Sequence, residues 1–402
     1  MIKVAKFGGS SMADRRAFCK VAEWLQKDNS IQAVVVSAGG KTSKCKKVTD
    51  ILIESANKIE KGESVYKSLL PFFDRVKFNA ESVGVYNKIK DELMKIEQEV
   101  ERGFSLDFIL SRGEFIYAQM FSHFIGVRFV DSKDLIYFYD DGLVNLGYTE
   151  FKIKEEYEKN GRFITGGFYG GYRNGRIKTF SRGGSDFSGA IVARSLMADE
   201  YLNFTDVDGI YSFNPSITSK VEIIKEINFD TVRLLGEFGA GVLHPASVLP
   251  LYGTGIQIRL KNTFNKTAEG TVIKENTNET PFAVAMKPCR FIRLRKRGEG
   301  YKLLQNFTAE NEEIVFAICN LDQVDVCFLG ETAGEEIAKR TGADYLAEED
   351  KSVVFYFSKN EKSSNIIEIL RKEGVIKGET AGKFGRYVCL AEKWAKKVIE
   401  LL

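Results

Sequence analysis

The sequence predicts an α/β protein: a parallel sheet with helices on its faces, followed by a smaller α+β domain. Three observations lead there. Ile2-Lys-Val-Ala-Lys-Phe7 reads as a short buried strand and Gly8-Gly9 breaks it. Apolar residues at Phe18, Val21, Ala22 and Leu25 then recur at helical spacing, and residues 31–36 form a second apolar run. Strand, glycine turn, helix, strand is the order of a βαβ unit. The second observation is length: 402 residues exceed what one compact core organises. The third is a shift to polar composition over residues 261–281, which reads as a linker.

The elements follow in order. Ser10-Ser11 offers a cap for the first helix. Residues 47–59 read as a helix, and residues 64–101 as a helical excursion. Another helix is expected to follow Ser111-Arg-Gly-Glu114 through about residue 124, with a short strand at 126–130. Residues 163–165 read as a strand, Gly175 as a hairpin turn and residues 177–180 as the return strand. Arg182-Gly-Gly-Ser-Asp186 enters a helix, residues 200–205 form a strand, and Asp206-Val-Asp-Gly209 a turn. A short helix is expected at 230–236, another begun by Pro245, and a last strand of this domain at 256–260. Beyond residue 282, strands at 291–294, 314–318, 324–328, 353–357 and 387–390 alternate with helices at 334–341 and 364–372.

Composition excludes several function classes. Hydrophobic residues make up 44% and charged residues 28%, as in ordinary globular proteins. A net charge of +3 is too small to argue for a nucleic-acid partner. Six cysteines show no CxxC or other metal spacing, so reduced, idle thiols and no metal site are expected. Only two histidines occur, which argues against a His-rich metal centre or a Ser-His-Asp triad. No charged segment followed by an apolar one opens the chain, and no apolar stretch reaches about 18 residues. A cytoplasmic protein with no membrane partner is the expectation.

Three glycine pairs, Gly8-Gly9, Gly39-Gly40 and Gly183-Gly184, each lie where a strand ends and a helix begins. Glycine lets backbone N–H groups approach an anion, and a helix N-terminus adds partial positive charge. Lys6 precedes the first pair and Arg182 the third. A polyphosphate needs this combination of backbone donors and fixed cations. Two nucleotide motifs fail, however. Gly40-Lys41-Thr42 mimics the tail of a Walker A loop, but its leading position is Val35, and no GxGxxG follows a strand. Arg182 and Ser185 suit a carboxylate. Asp186 suits either a helix cap or a partner for a catalytic lysine or metal-bound phosphate. Glu114 suits either a capping carboxylate or a site for a substrate amino group. His244 reads as a structural helix-entry residue.

These residues carry a family resemblance. Lys6-Phe-Gly-Gly-Ser-Ser11 resembles the opening signature of aspartate kinases. Ser37-Ala38 with Val48-Thr49-Asp50, Ser111-Arg-Gly-Glu114, Thr165-Gly-Gly-Phe168 and Arg182-Gly-Gly-Ser-Asp-Phe-Ser188 resemble the next elements in order. Thr205-Asp-Val-Asp-Gly-Ile-Tyr211, Gly239-Ala-Gly-Val-Leu-His-Pro245 and Asn262-Thr-Phe264 complete the series. The resemblance implies an amino-acid kinase fold over residues 1–275, an open, mainly parallel sheet between helices. It implies an ACT-like α+β regulatory and dimerisation domain over residues 282–402. It implies transfer of the ATP γ-phosphoryl to the side chain of L-aspartate, with Mg²⁺ on the phosphates. Lys6 would stabilise the transferring group, Asp186 would organise Lys6, and Gly8 and Gly9 would supply backbone donors. Ser10, Gly183, Gly184, Thr205, Asp206 and Tyr211 would bind ATP. Arg182 and Ser185 would hold the substrate α-carboxylate and Glu114 its amino group, while Ser37, Thr49 and Phe168 would line the pocket.

The chain departs from the family at two cations. Gly241 stands where a lysine is usual, and Asn214-Pro215-Ser216 stands where Asp-Pro-Arg is usual. Each charge-assisted contact is worth roughly 1.5–3 kcal/mol, so ATP binding is expected to weaken unless a group such as Lys220 or Arg233 compensates. Two alternatives follow: a kinase of another small carboxylate, or a weakened paralogue that binds amino acids as a sensor or subunit.

Overall fold

The computed structural model describes residues 1–402 except 44, 104, 181–182, 239–242, 278–279, 300–313, 320, 330–337, 340–341, 346–351 and 383–384. Contacts group the chain into two units, Met1–Ile210 with Val242–Asn276, and Tyr211–Gly241 with Thr277–Leu402. In chain order the elements up to the first boundary are β1 (Lys3–Phe7), α1 (Arg15–Lys27), β2 (Ile31–Val36), α2 (Val48–Glu60), α3 (Val65–Ser82), α4 (Tyr86–Arg102), α5 (Leu106–Ile125), α6 (Leu146–Asn160), β3 (Phe163–Gly166), β4 (Tyr169–Gly171), β5 (Ile177–Thr179), α7 (Gly184–Ser195) and β6 (Glu200–Thr205). Then come β7 (Ile210–Tyr211), β8 (Ile223–Ile224), β9 (Glu226–Asn228), α8 (Phe229–Glu237), β10 (Gln257–Asn262) and β11 (Thr271–Lys274).

In the first unit β3, β2, β1, β6 and β10 lie side by side in that order, all parallel, and β11 adds antiparallel to β10. Buried on both faces, β1 and β2 are near-continuous apolar runs, as central parallel strands must be. Parallel strands end on one edge of the sheet. The segments leaving β1, β2, β3 and β6, namely Gly8-Gly9, Ser37–Gly40, Gly167-Phe168 and Thr205-Asp206, therefore gather there, where open α/β sheets bind ligands. A core of Phe7, Phe18, Val34, Leu52, Phe72, Ile116, Tyr117 and Phe121 joins one face of the sheet to α1–α5.

Several sequence expectations are corrected. The cap of α1 is Asp14, whose carboxylate accepts from Ala17 N at 2.9 Å, not Ser10-Ser11. Those serines belong to a 3-10 helix, Gly9–Met12, because Gly8 extends the chain past the strand before it turns. Helix α5 starts at Leu106, capped by Ser105, so Ser111–Glu114 lies inside it. Residues 126–130 form only one bridge, Phe129 to Ile164. Within the expected linker, residues 271–274 form a strand with alternate residues buried.

The second unit contains β12 (Val284–Arg295), β13 (Ile314–Cys319), β14 (Gln323–Phe328), β15 (Asp344–Tyr345), β16 (Ser352–Ser358), β17 (Ile376–Ala381) and β18 (Gly385–Ala391). Its sheet runs β13-β14-β12-β16-β18-β17 and its pairs are antiparallel. Strand β12 pairs with β16 through its first half and with β14 through its second. Helix Glu361–Lys372 packs Ile366, Ile367 and Leu370 on Phe355 and Phe357. The expected helix at 334–341 lies mostly outside the described residues.

Gly39 is a test of the packing behind the strand ends. A Cβ there would sit 2.5 Å from the ring of Tyr117, which is fully buried and held by Asn79 Nδ2 at 2.9 Å. Gly39→Ala is expected to cost about 1–3 kcal/mol by overpacking, read as a lower urea midpoint at unchanged slope.

Candidate active site

The site grows from the carboxyl end of β1. Lys6 is 8% exposed, and its Nζ lies 2.5 Å from Asp186 Oδ1. Asn203 on β6 donates to the same oxygen at 2.9 Å. Asp186 sits in the first turn of α7, yet that helix has no side-chain cap. Its carboxylate faces the lysine, and from the first turn it also offsets the helix dipole. Tyr201 Oη donates to Asp186 O at 3.1 Å. The same hydroxyl lies 2.3 Å from where a Cβ on Gly189 would stand, which explains that glycine.

Two glycine turns pack back to back beside Lys6. Gly40 N donates to Gly9 O at 2.8 Å, and a Cβ on Gly40 would meet the Gly9 carbonyl carbon at 2.6 Å. Gly8 spends its N–H on Phe204 O at 3.2 Å, which corrects its expected donor role. Gly9 and Ser10 open a 3-10 helix, where N–H groups lack intrahelical acceptors, so the free donors are theirs. From behind, α3 braces both turns: Arg75 Nη2 donates to Ala13 O at 2.9 Å and Gly40 O at 3.1 Å, and Asn79 Nδ2 donates to Ala13 O at 3.0 Å. Val48 N donates to Gly39 O at 3.0 Å, starting α2. That helix also has no side-chain cap, and half-buried Thr49 stands in its first turn. Ser37, half-buried, is anchored by its N–H to Phe7 O at 3.0 Å.

The third constellation surrounds Gly166-Gly167-Phe168. A Cβ on Gly166 would meet the Glu114 backbone at 3.0 Å, and one on Gly167 would meet Ser185 at 2.7 Å. The two glycines thus let α5 and α7 approach the same loop. Phe168 adopts φ 75°, a conformation non-glycine residues rarely hold. It is pinned from both sides: its N–H donates to Ser188 Oγ at 3.0 Å and its carbonyl accepts from Phe180 N at 2.8 Å. Glu114 is 3% exposed, one of its oxygens has no partner, and burial pushes its carboxyl up to about 8 despite a backbone bond from Ala38. Lying in the third turn of α5, it cannot cap. A buried acid with an open oxygen is what a substrate ammonium needs. Arg112, two residues earlier, is caged by the rings of Phe108, Phe115 and Tyr169 at 4.5, 4.3 and 5.5 Å.

At the end of β6, Thr205 O accepts from Thr263 N at 2.8 Å, and Asn262 Nδ2 donates to Asp206 O and Asp208 Oδ1 at 3.2 and 2.7 Å. Asn262-Thr-Phe264 is thus the strap of the Asp206 turn. His244 caps the 3-10 helix Pro245–Leu251, accepting from Ala246 N at 3.3 Å, and its ring fills the space over Gly183, φ 76°. Tyr211 belongs to the second unit. Arg182 and Gly241 lie outside the described residues. Sequence reading missed Asn203, Tyr201, Ser188, Arg75 and Asn79. An amide between Leu202 and Phe204, in the buried middle of the strand, was the available signal for Asn203.

Known proteins resemble this chain in sequence and in fold. Aspartokinase 3 of Bacillus subtilis is 33% identical over 302 residues, covering 71% of this chain and 66% of that protein. Lysine-sensitive aspartokinase 3 of Escherichia coli is 29% identical over 311 residues, covering 71% and 67%. The chain thus spans about two thirds of the length of these curated relatives. The crystal structure of Clostridium acetobutylicum aspartate kinase superposes with a TM-score of 0.83 at 27% identity, covering 100% of this chain and 98% of that one. An E. coli aspartokinase III structure in complex with aspartate and ADP shares the fold, with a TM-score of 0.78 at 23% identity. Residues 1–262 match the amino acid kinase family, spanning the parallel sheet and each described residue around Lys6 and Glu114. With its strand-end glycine turns and buried Lys6–Asp186 pair, the chain belongs to that family.

Proposed function

We propose that this chain is an aspartate kinase, transferring the γ-phosphoryl of ATP to the side-chain carboxylate of L-aspartate to give 4-phospho-L-aspartate, the first step of aspartate-family amino-acid biosynthesis. The observation that carries the reading is Glu114: a buried carboxylate with an open oxygen, packed against the same glycine loop as Ser185. It supplies the ammonium site, and Ser185 with Arg182 holds the α-carboxylate. Ser37, Thr49 and Phe168 close the pocket around the side chain to be phosphorylated. The relatives named aspartokinase support this acceptor.

Phosphoryl transfer is accelerated mainly by positioning and by charge placed on the transferring oxygens. Lys6 provides that charge at the end of β1, and Asp186 with Asn203 fixes its ammonium. Gly9 and Ser10 offer N–H donors, and Gly183 and Gly184 open α7 without a side-chain cap. Its partial positive end therefore faces the phosphates. Thr205 and Asp206, at the end of β6, contact the nucleotide. Mg²⁺ would be held by the ATP phosphates and would offset their charge. Asp186, with one oxygen taken by Lys6 and Asn203, would be the residue to hold it should a protein ligand be used. Residues 1–275 form the catalytic domain, and residues 282–402 an ACT-like regulatory domain through which two chains pair in the cytoplasm.

Three outcomes test the reading. With ATP, Mg²⁺, hydroxylamine and a panel of acceptors, the coloured hydroxamate should form with aspartate alone. No hydroxamate with any acceptor, while aspartate still raises the melting temperature, would leave a binding protein instead. Lys6→Ala should lower kcat by at least about 100-fold while aspartate still shifts the melting temperature; unchanged turnover removes Lys6 from the mechanism. The third outcome concerns pH. Burial favours the neutral acid, so free enzyme below about pH 8 carries an uncharged Glu114. Its kcat/KM for aspartate should climb with pH and level off above about 8. Glu114→Gln should raise KM roughly 10- to 150-fold, the worth of one charge-assisted bond, and flatten that limb. A limb that persists in the variant belongs to another group.

A further inference from the structure

The second unit brings three cysteines together. Cys289 on β12, Cys327 on β14 and Cys389 on β18 are buried, and their sulfurs all lie within 4.8 Å of one another. The register explains how. Residues opposite each other in an antiparallel pair share a face, as do residues two apart on one strand. Cys289 shares a face with Phe291, which lies opposite Cys327. Cys289 also lies opposite Ser352, which shares a face with Val354, opposite Cys389. All three thiols therefore project from the same side of the sheet, flanking Ser352.

The spacing has a chemical reading. Cys289 Sγ and Cys389 Sγ are 3.7 Å apart. A disulfide requires about 2.05 Å. Two thiolates on a tetrahedral ion at about 2.3 Å stand about 3.8 Å apart. The third thiol completes a triangular face, and the 2%-exposed Ser352 hydroxyl lies beside it. Lys377 is the extra residue of a bulge between Ile376 and Gly378 on β17, and its Nζ reaches Ser352 Oγ at 3.4 Å. Three thiolates around a divalent ion leave one net negative charge, and a buried net charge needs an opposite partner. The ammonium of Lys377 stands where it offsets that charge.

We propose that Cys289, Cys327 and Cys389 form a binding site for a thiophilic d¹⁰ cation, Zn²⁺ being the ion whose bond lengths match. Soft sulfur ligands select such ions. On binding, each ligating thiol releases its proton to solvent, and no electron is transferred. The bound ion ties together β12, β14 and β18, which neither pair with one another through all three strands nor meet in sequence. The site is independent of the kinase reading.

The test uses the full chain, reduced with a phosphine and stripped by a chelator. Cd²⁺ titration should give a thiolate-to-metal ultraviolet band that saturates at one equivalent per chain, and Cd²⁺ should displace Zn²⁺ from the zinc-loaded protein at the same stoichiometry. Cys289→Ser, Cys327→Ser and Cys389→Ser should each lose the band or weaken binding at least about 10-fold. Cys19→Ser, Cys45→Ser and Cys319→Ser should keep it. Should the buried-site variants fail to fold, X-ray absorption of the zinc-loaded wild-type protein decides: a sulfur-dominated shell supports the site. No stoichiometric band from folded, reduced protein, a band that survives all three substitutions, or a shell of only nitrogen and oxygen overturns it.

Discussion

The contact on which the first unit turns is the ion pair between Lys6 and Asp186. It joins the central strand of a parallel sheet to the first turn of a helix that lies across it. A buried pair is favourable only when its remaining valences are met, and removing one partner typically costs roughly 3–5 kcal/mol. Asn203 meets one of them from the neighbouring strand. The pair therefore fixes three elements at once, β1, β6 and α7, and does so at the strand ends where the sheet opens. A cation held by a carboxylate and an amide has little freedom to move when phosphate charge arrives, which is the preorganisation that phosphoryl transfer exploits.

Glycine makes the rest of that edge possible, and by steric means more than conformational ones. Gly9 and Gly40 allow two turns to touch backbone to backbone; Gly166 and Gly167 allow one loop to touch α5 and α7 together. Of the site glycines described, Gly183 alone has a positive φ. The conformational strain sits instead at Phe168, where a side chain is needed and the backbone is held by Ser188 and Phe180. Strain at a residue pinned on both sides is what a fixed pocket wall requires.

Helix α5 shows how burial converts charges into site groups. It is packed on nearly every side through its middle, so Arg112 and Glu114 leave water altogether. Arg112 keeps its charge among aromatic faces and hydroxyl and carbonyl acceptors, with burial pushing its pKa down from the usual guanidinium range. Glu114 lacks enough partners to stay ionised near neutrality. The same apolar surroundings give one residue a structural task and leave the other open to a ligand.

The strands β1 and β2, helix α2 and the glycine pairs were legible in the sequence because each depends on residues close together in the chain. Lys6, Glu114 and Asp186 were legible as residue types beside those turns. The start of α5 was not, since a helix buried all round shows no contrast between faces. Nor was β11, a four-residue strand inside a polar stretch, nor the choice of Asp14 over Ser10-Ser11 as a cap. Arg75 and Asn79 read as parts of an amphipathic excursion, and nothing local says that they brace Gly40 and Ala13. The cysteines are the sharpest case: widely separated, without metal spacing, they meet only through strand register. Sequence by itself determined the succession of strands, turns and helices and the chemistry available at each break, because periodicity and backbone freedom are local properties. Which side chains face one another was decided by the tertiary structure, because register and helix docking are set by packing between segments that are distant in the chain.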